Sequence, residues 1–331
     1  MTQIMKTPQA ELGKLYGLRR IKGYYRLTGL LAHLDQYGQP WWQMRLSDCT
    51  GTLVVDYRPS QLDSLAANDP QSALPWGIRH GGLVQVEAKL TQQETTGFFT
   101  GKLVWLQPVL EVHSLPILAK MPVLSTLPRS HCPRPELLDQ LVMRVRDLKC
   151  EWLQRFVSRV LEQSQVAVGF ISVPASYRYH HAYAGGLLAH SLEIMSTLAV
   201  LPSLCDSERE VAMVAGLLHD LGKAWALTAE GETTELGYMV AHEHLTLELC
   251  GPALVWLDQR APELALMLRH IWSNMTSGTR FNHQPVLPIV HAVRMADQLS
   301  ANQDNNRHWP KPIHLSTIVV SDQTALRSLH G

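Results

Sequence analysis

The chain lacks the features that mark secreted and membrane proteins. Its five cysteines form no CxxC pair and are scattered over the 331 residues, which indicates reduced, buried thiols. No stretch approaches the roughly 18 consecutive apolar residues that a membrane span needs. No charged, apolar and small pattern of a signal peptide opens the sequence. We therefore expect a cytoplasmic protein with no membrane partner.

The chain also has no excess charge, because 29 Lys and Arg residues balance 29 Asp and Glu residues. No global basic field argues for nucleic acid, so any such binding must rest on a local patch. The sequence has no repeats and no low-complexity tract. Hydrophobic residues make up 46% of the chain and are ample for a buried core, and the length predicts two domains.

Residues 19–113 alternate apolar and polar side chains and predict a small antiparallel β-barrel. The alternating segments are 24–28, 41–46, 52–57, 83–88 and 98–106. The sequence LSDCTG at 46–51 resembles the L-x-D-x-T-G turn of OB-folds of the anticodon-binding type, and five strands match that fold. Residues 1–18 form an N-terminal extension, and 68–80 read as an inserted loop whose role the sequence does not give.

An OB barrel binds single strands by stacking bases on aromatic rings in a positively charged groove. The resemblance makes six residues of the first two strands candidates for this role: Tyr24, Tyr25, Arg26, Trp41, Trp42 and Arg45. Half of an alternating set must face the core, so burial competes with base stacking for each aromatic residue.

Five prolines between 114 and 135 predict a semi-rigid, extended linker, and we place the domain boundary there. The remaining 136–331 are predicted to be all-helical. Residues 136–163 have apolar residues at helical spacing, in a helix broken at most once.

Two further helices of this region carry histidine and aspartate. A helix that starts at 185–186 carries His190, and one over 208–221 has His219 and Asp220 in its last turn, with Gly222 as its C-cap. The two side chains could reach one cation, and imidazole with carboxylate suits Mn, Fe, Zn or Ni. An isolated His-Asp pair, however, is more often a solvated helix end.

Residues elsewhere in the chain favour a metal site over a solvated helix end. His190, then HDLGK at 219–223, then ADQLS at 296–300 resemble the HD-domain metal-dependent phosphohydrolase superfamily. The resemblance implies four metal ligands: His190, His219, Asp220 and Asp297. For Asp297, the competing interpretation is a surface pair with Arg294.

A longer match is more specific. HHAYAGGLLAH at 180–190 resembles the YhaM-type 3′-to-5′ exoribonucleases, in which an OB-fold precedes an HD domain. The same residues are similar to the HD module of TraI-type conjugative relaxases, where no leading OB barrel is expected. The domain order favours the first family, and the resemblance covers about 19–304.

Two histidines bear on the number of metals. His242 lies where such families keep an extra ligand or phosphate contact. YhaM-type proteins tend to carry Ser-His-His-Gly where this chain has SNMT at 273–276, which weighs against a second metal. His270, one helical turn away, is either a substitute ligand or a packed core residue.

The function implied is a metal-dependent 3′-to-5′ exonuclease on single-stranded RNA, or on DNA, with one or two divalent ions (Mn, Mg, Fe, Ni or Zn). Lys223, His180 or His181 could stabilise the leaving oxygen, and Arg178 could contact a phosphate. Lys223 could equally be a helix-dipole partner, and Arg178 a solvated loop charge. The alternatives are a phosphohydrolase of free nucleotides and a nucleic-acid adaptor of mobile-element origin. The oligomeric state stays open.

Overall fold

The computed structural model describes residues 9–58, 77–93, 96–110, 116–275 and 286–306. These form a closed five-stranded barrel followed by a helical region. Residues 68–76 of the predicted inserted loop, 1–8 of the N-terminal extension and 114–115 of the predicted linker lie outside the described residues. No helix in the described part of the chain combines the length and the apolar character that crossing a bilayer requires.

The barrel confirms the five predicted strands. They are β1 (Arg20–Leu34), β2 (Pro40–Ser47), β3 (Thr52–Tyr57), β4 (Leu83–Gln92) and β5 (Phe99–Pro108). The order around the barrel is β1-β2-β3-β5-β4, and β4 pairs back with β1 to close it. All pairs are antiparallel except β3 with β5, which is parallel and was not predicted.

Asp48 organises the turn between β2 and β3. Its Oδ1 accepts hydrogen bonds from the backbone of Thr50 and Gly51, each at 2.8 Å, and its Oδ2 accepts from the Leu12 amide. The next residue, Cys49, is buried against the core of the helical region, and this burial raises its thiol pKa to about 12. The turn therefore ties the N-terminal segment to the barrel and touches the second region.

The helical region has one large apolar core. Its helices are α1 (Pro135–Arg146), α2 (Glu151–Leu161), α3 (Ser164–Ser172), α4 (Gly186–Ala199), α5 (Asp206–Leu218), α6 (Lys223–Ala226), α7 (Glu235–Met239), α8 (His242–Asp258), α9 (Pro262–Ser273) and α10 (Pro288–Asn306). The predicted helix over 136–163 is broken once, between α1 and α2. Helices α4, α5 and α10 pack against one another and place the candidate site at their meeting point.

Gly222 does not act as the predicted left-handed C-cap. Its backbone is right-handed helical, with φ −57° and ψ −22°, and the chain turns through it from α5 into α6. A Cβ at this position would collide with the carbonyl oxygen of His242. Glycine is therefore needed because α8 approaches closely, and that approach brings His242 to the site.

The proline-rich segment is packed, so the expectation of an extended linker is wrong. Leu118, Leu124 and Leu127 are fully buried. Thr126 donates two hydrogen bonds to the buried carboxylate of Glu162, at 2.7 Å from its amide and 2.9 Å from its hydroxyl. The proline-rich segment is therefore a connection that packs against α2. The residue at which one domain ends and the next begins stays a prediction.

Arg26 joins the barrel to the helical region. Its guanidinium is fully buried and donates to the Ser164 hydroxyl at 2.9 Å and to the backbone oxygens of Gly81 and Glu162 at 3.1 and 2.5 Å. Burial lowers the pKa of Arg26 to about 10, opposed by the nearby charge of Glu162. A buried charge that bonds to both parts fixes their relative position.

Candidate metal centre

Three helices deliver the predicted ligands to one place. His190 lies in α4, His219 follows α5, and Asp297 lies in α10. One ligand atom from each of these residues lies within 4.8 Å of the others. Asp297 Oδ1 is 3.2 Å from His190 Nε2 and 3.5 Å from His219 Nε2. Both imidazoles are buried and Asp297 is half-buried, so the group opens to solvent on the carboxylate side.

The hydrogen bonds at Nδ1 set the orientation of both imidazoles. Ser300 donates its only hydroxyl proton to Glu193 Oε2 at 2.8 Å, so it must accept from His190 Nδ1, 3.0 Å away. His219 Nδ1 lies 2.8 Å from the Gly216 carbonyl, which can only accept. In their neutral forms, both rings therefore carry the proton on Nδ1 and a lone pair on Nε2.

These lone pairs fit a cation. The Nε2 atoms of His190 and His219 are buried and make no hydrogen bond among the described residues. Buried polar atoms normally have a partner, and each exception calls for an explanation such as an ion. Two bare imidazole nitrogens facing carboxylate oxygens are a donor set for a divalent transition metal. The residues present thus fit a bound metal ion.

Imidazole and carboxylate groups stabilise one another's charges at the centre. Burial lowers the pKa of His219, but Asp220 and Asp297 outweigh it and raise the pKa to about 10. Burial would raise the pKa of Asp297, yet its close contacts with His190 and His219, at 3.2 and 3.5 Å, hold it well below its usual range. Both effects have one cause: the attraction between imidazole and carboxylate, which is strong in a poorly solvated site.

Asp220 is shared between the histidines and two other groups. Its Oδ2 lies 3.6 Å from His190 Nε2 and 3.3 Å from His219 Nε2, but also 2.5 Å from Lys223 Nζ. His242 Nε2 is 3.0 Å from its other oxygen. Burial would raise the pKa of Asp220, whereas His219 and Lys223 hold it well below its usual range. Lys223 and His242 thus contact a candidate ligand in this structure.

The two histidines of the 180–190 sequence have different surroundings. The His180 ring lies 4.8 Å from the His190 ring, and its buried Nε2 makes no hydrogen bond to any described residue. Burial, with the nearby His190 and Lys223, lowers the pKa of His180 to about 4. His181 is fully buried with a left-handed backbone, φ 50°, and its Nε2 lies 3.2 Å from Glu193. His180 therefore lies beside the His190 ring, whereas His181 contacts Glu193.

His270 is not brought to the centre. Among the described residues, no hydrogen bond, ion pair or ring contact joins it to the cluster. Its Nε2 instead accepts a hydrogen bond from the Leu287 amide at 3.3 Å. That contact connects α9 to the segment that leads into α10 and favours the packing interpretation of His270.

Half of the predicted nucleic-acid residues of the barrel are inaccessible. Tyr25, Arg26 and Trp42 are at most 1% exposed and cannot stack on a base, so their predicted role is wrong. Tyr25 and Trp42 belong to the barrel core, and Arg26 points out of the barrel into the helical region. Alternating residues of a strand lie on opposite faces of the barrel wall. At these positions both faces are covered, the inner one by the barrel core and the outer one by the helical region.

The other barrel candidates keep some exposure. Arg45 is exposed, while Tyr24 and Trp41 are half-buried. The Trp41 ring stacks on His33 with centroids 4.4 Å apart, and Arg58 lies 4.8 Å above the Trp41 ring. An aromatic and cationic surface therefore does exist on the barrel, around Trp41.

The sequence interpretation missed Glu193 and Ser300. Each lies three residues after a predicted ligand on the same helix, Glu193 after His190 and Ser300 after Asp297. Residues at this spacing share a helix face. The sequence signal that could have identified them is a polar residue three positions after a predicted ligand.

Comparison with known proteins finds similar exoribonucleases. The 3′-5′ exoribonuclease YhaM of Halalkalibacterium halodurans is 21% identical over 86% of this chain and 84% of its own length. The chain is similar to YhaM exoribonucleases. YhaM of Listeria monocytogenes is 25% identical over 54% of this chain and 59% of that protein. Ribonuclease Y of Campylobacter jejuni is 27% identical over 28% of this chain and 20% of that protein. The predicted resemblance to YhaM is confirmed.

One family model matches residues 125–230, that of TraI_2, described as "Putative helicase". The matched residues contain His190, His219 and Asp220, while Asp297 lies beyond them. The match agrees with the predicted likeness to TraI-type proteins. The similarity to the Halalkalibacterium YhaM extends further, over 291 residues.

Proposed function

We propose that this chain is a metal-dependent 3′-to-5′ exonuclease that removes nucleotides from single-stranded RNA. The observation that carries the proposal is the pair of buried Nε2 atoms on His190 and His219, which face Asp297 without a hydrogen bond among the described residues. The similarity to YhaM exoribonucleases supports RNA, rather than free nucleotides, as the substrate.

We further assign the helical region to the HD phosphohydrolases and the barrel to the OB-folds. The order His, His-Asp, Asp along the chain, and the meeting of these side chains between α4, α5 and α10, support the first assignment. A closed barrel of five strands in the order β1-β2-β3-β5-β4 supports the second.

His190, His219 and Asp297 would hold a divalent cation, with Asp220 as a fourth ligand. When bound, the cation would supply Lewis acidity for phosphodiester hydrolysis. Lys223 and His242 would keep Asp220 ionised and oriented through their contacts at 2.5 and 3.0 Å. These two residues then act on the ligand rather than on the substrate.

His180 is the best-placed hydrogen-bond donor for the leaving 3′ oxygen. Its pKa of about 4 keeps the ring neutral at pH 7, so one ring nitrogen holds a proton and the other a lone pair. The ring borders His190, and its Nε2 is not used by any described residue. A neutral imidazole can donate a hydrogen bond to a developing negative charge.

The test is cleavage by the purified full-length protein. A 5′-labelled oligoribonucleotide, the matching deoxy strand and free nucleotides are each incubated with Mn²⁺, Mg²⁺ or a chelator. We expect a ladder of RNA products shortened from the 3′ end, formed only with metal. Asp297→Asn should abolish it. Asp258→Asn makes the same change at an exposed residue of α8 that pairs with Arg269, and should not.

Two results would reject the proposal. One is hydrolysis of free nucleotides with the RNA strand left intact, which would favour the nucleotide phosphohydrolase. The other is an Asp297→Asn variant with unchanged metal content and turnover, which would remove Asp297 from the centre.

A further inference from the structure

The loop that leads into α4 exposes three tyrosine rings beside the candidate metal centre. Tyr177 is 56% exposed, Tyr179 78% and Tyr183 37%. Large aromatic side chains that stay exposed together are a common mark of a binding surface. We call residues 176–183 the tyrosine loop.

The loop is held by its own hydrogen bonds. The Ser176 hydroxyl accepts from the Tyr179 amide at 2.9 Å and donates to the His180 carbonyl at 2.8 Å. The His181 carbonyl accepts from the Ala175 amide at 3.1 Å. Rings presented by a fixed backbone lose little conformational freedom when a ligand binds, which favours binding.

The tyrosine loop borders the metal centre directly. Tyr179 precedes His180, so their Cα atoms are about 3.8 Å apart, and the His180 ring lies 4.8 Å from the ring of His190. At the other end of the loop, the Tyr183 ring lies 5.9 Å from the ring of His181. A ligand bound to the tyrosine loop would therefore lie close to the candidate metal centre.

Two arginines supply positive charge at the same surface. Arg178 is exposed and lies 4.8 Å above the Tyr177 ring, and no described carboxylate forms an ion pair with it. Arg134 lies 5.8 Å above the Tyr183 ring and also pairs with Glu136. Aromatic faces interleaved with arginine are the usual combination for binding single-stranded nucleic acid.

We infer that the tyrosine loop binds the 3′-terminal nucleotides of single-stranded RNA, with bases on Tyr177, Tyr179 and Tyr183 and a phosphate on Arg178. The inference rests on the proposed function, which sets the polarity of the strand. It assigns binding of the end of the strand to the helical region and leaves the barrel surface around Trp41 for more distant nucleotides. The tyrosine loop should then matter even for substrates too short to reach the barrel.

The test compares a double variant, Tyr177→Leu with Tyr179→Leu, against the conservative Tyr→Phe pair. Full-length protein with Mn²⁺ is titrated with a fluorescent hexaribonucleotide whose phosphorothioate linkages resist cleavage. Turnover of the ordinary hexamer and metal content are measured in parallel. We expect the leucine pair to weaken binding and raise KM by about 30-fold or more, in line with the loss of two base stacks, at unchanged kcat and metal content.

The control variants test whether the aromatic rings themselves, and not another property of the two tyrosines, are needed for binding. The phenylalanine pair keeps the faces and should bind within about twofold of the unchanged protein, and Tyr16→Leu, at an exposed tyrosine before the barrel, should have no effect. The inference is wrong if the leucine pair binds and cleaves as well as the unchanged protein, or if the phenylalanine pair loses as much as the leucine pair. Tight, ring-dependent binding without cleavage would instead reject the proposed function and keep the binding surface.

Discussion

The hydroxyl of Ser300 donates a hydrogen bond of 2.8 Å to the carboxylate of Glu193, across 107 residues of sequence. Because a serine hydroxyl has a single proton, this bond leaves only acceptor capacity for His190. The pair thereby fixes the His190 proton on Nδ1 and turns the Nε2 lone pair toward Asp297. Partners of this kind tune metal affinity without touching the metal.

Replacing Ser300 with alanine should weaken metal binding without unfolding the protein. Loss of the acceptor frees the His190 ring to rotate or change tautomer, and such losses typically lower metal affinity about 10- to 100-fold. Competition with a fluorescent chelator would measure it. Ser196→Ala removes a serine of α4 whose hydroxyl, among the described residues, donates to the Leu192 carbonyl, and should leave the affinity unchanged. Equal affinities in both variants would show that Ser300 does not orient His190.

Gly222→Ala should destabilise the fold and disturb His242. A methyl group there would meet the His242 carbonyl, and forced overpacking typically costs about 1–3 kcal/mol. Gly251→Ala is the comparison, because a Cβ at Gly251, in α8, has no atom within 4 Å. That change should alter the free energy of unfolding by no more than about 1 kcal/mol. Urea denaturation of both variants gives the difference, and similar values would contradict the close-approach explanation.

Arg26→Ala should lower stability far more than Arg45→Ala on the neighbouring strand. Removing Arg26 leaves the buried carboxylate of Glu162 without its nearby cation and the Ser164 hydroxyl without its donor. Breaking a buried charge pair costs about 3–5 kcal/mol. Arg45 is exposed, and such surface changes stay within about 0.5 kcal/mol. A thermal or urea midpoint that moves equally for both would show that Arg26 does not join the two regions.

His270→Gln should leave the metal content per chain unchanged, because His270 contacts Leu287 and not the centre. His219→Gln, the same substitution at a proposed ligand, should lose metal. Elemental analysis after exhaustive dialysis would separate the two. A drop of one metal ion per chain in the His270 variant would instead establish a second site.

The barrel shows where the sequence was sufficient and where it was not. Alternation predicted the strand at 83–88 because one face of β4 packs inside the barrel. It could not predict that Tyr25 and Arg26, on opposite faces of β1, are both buried. The outer face is covered by α2, α3 and the segment before α1, and such contacts span 100 to 138 residues of sequence. Local periodicity carries no information about them.

The candidate centre also combines features that the sequence predicted with features that it did not. The ligand set of His190, His219, Asp220 and Asp297 was predicted because the order of these residues along the chain resembles that of the HD phosphohydrolases. The role of Gly222 was mistaken, because glycine after a helix suggests a left-handed cap unless the approach of α8 is known. His270 was ambiguous, because the sequence does not show that Leu287, 17 residues further on, is its hydrogen-bond partner.

The burial of Cys49 allows the contact between the barrel and the helical region to be followed by thiol labelling. A thiol with a pKa of about 12, packed against the helical core, is almost entirely protonated and shielded at neutral pH. Alkylation of Cys49 would then require the barrel to lift away from its neighbour. The rate at which Cys49 is labelled would thus report how often the two regions separate, and RNA that holds them together would slow it.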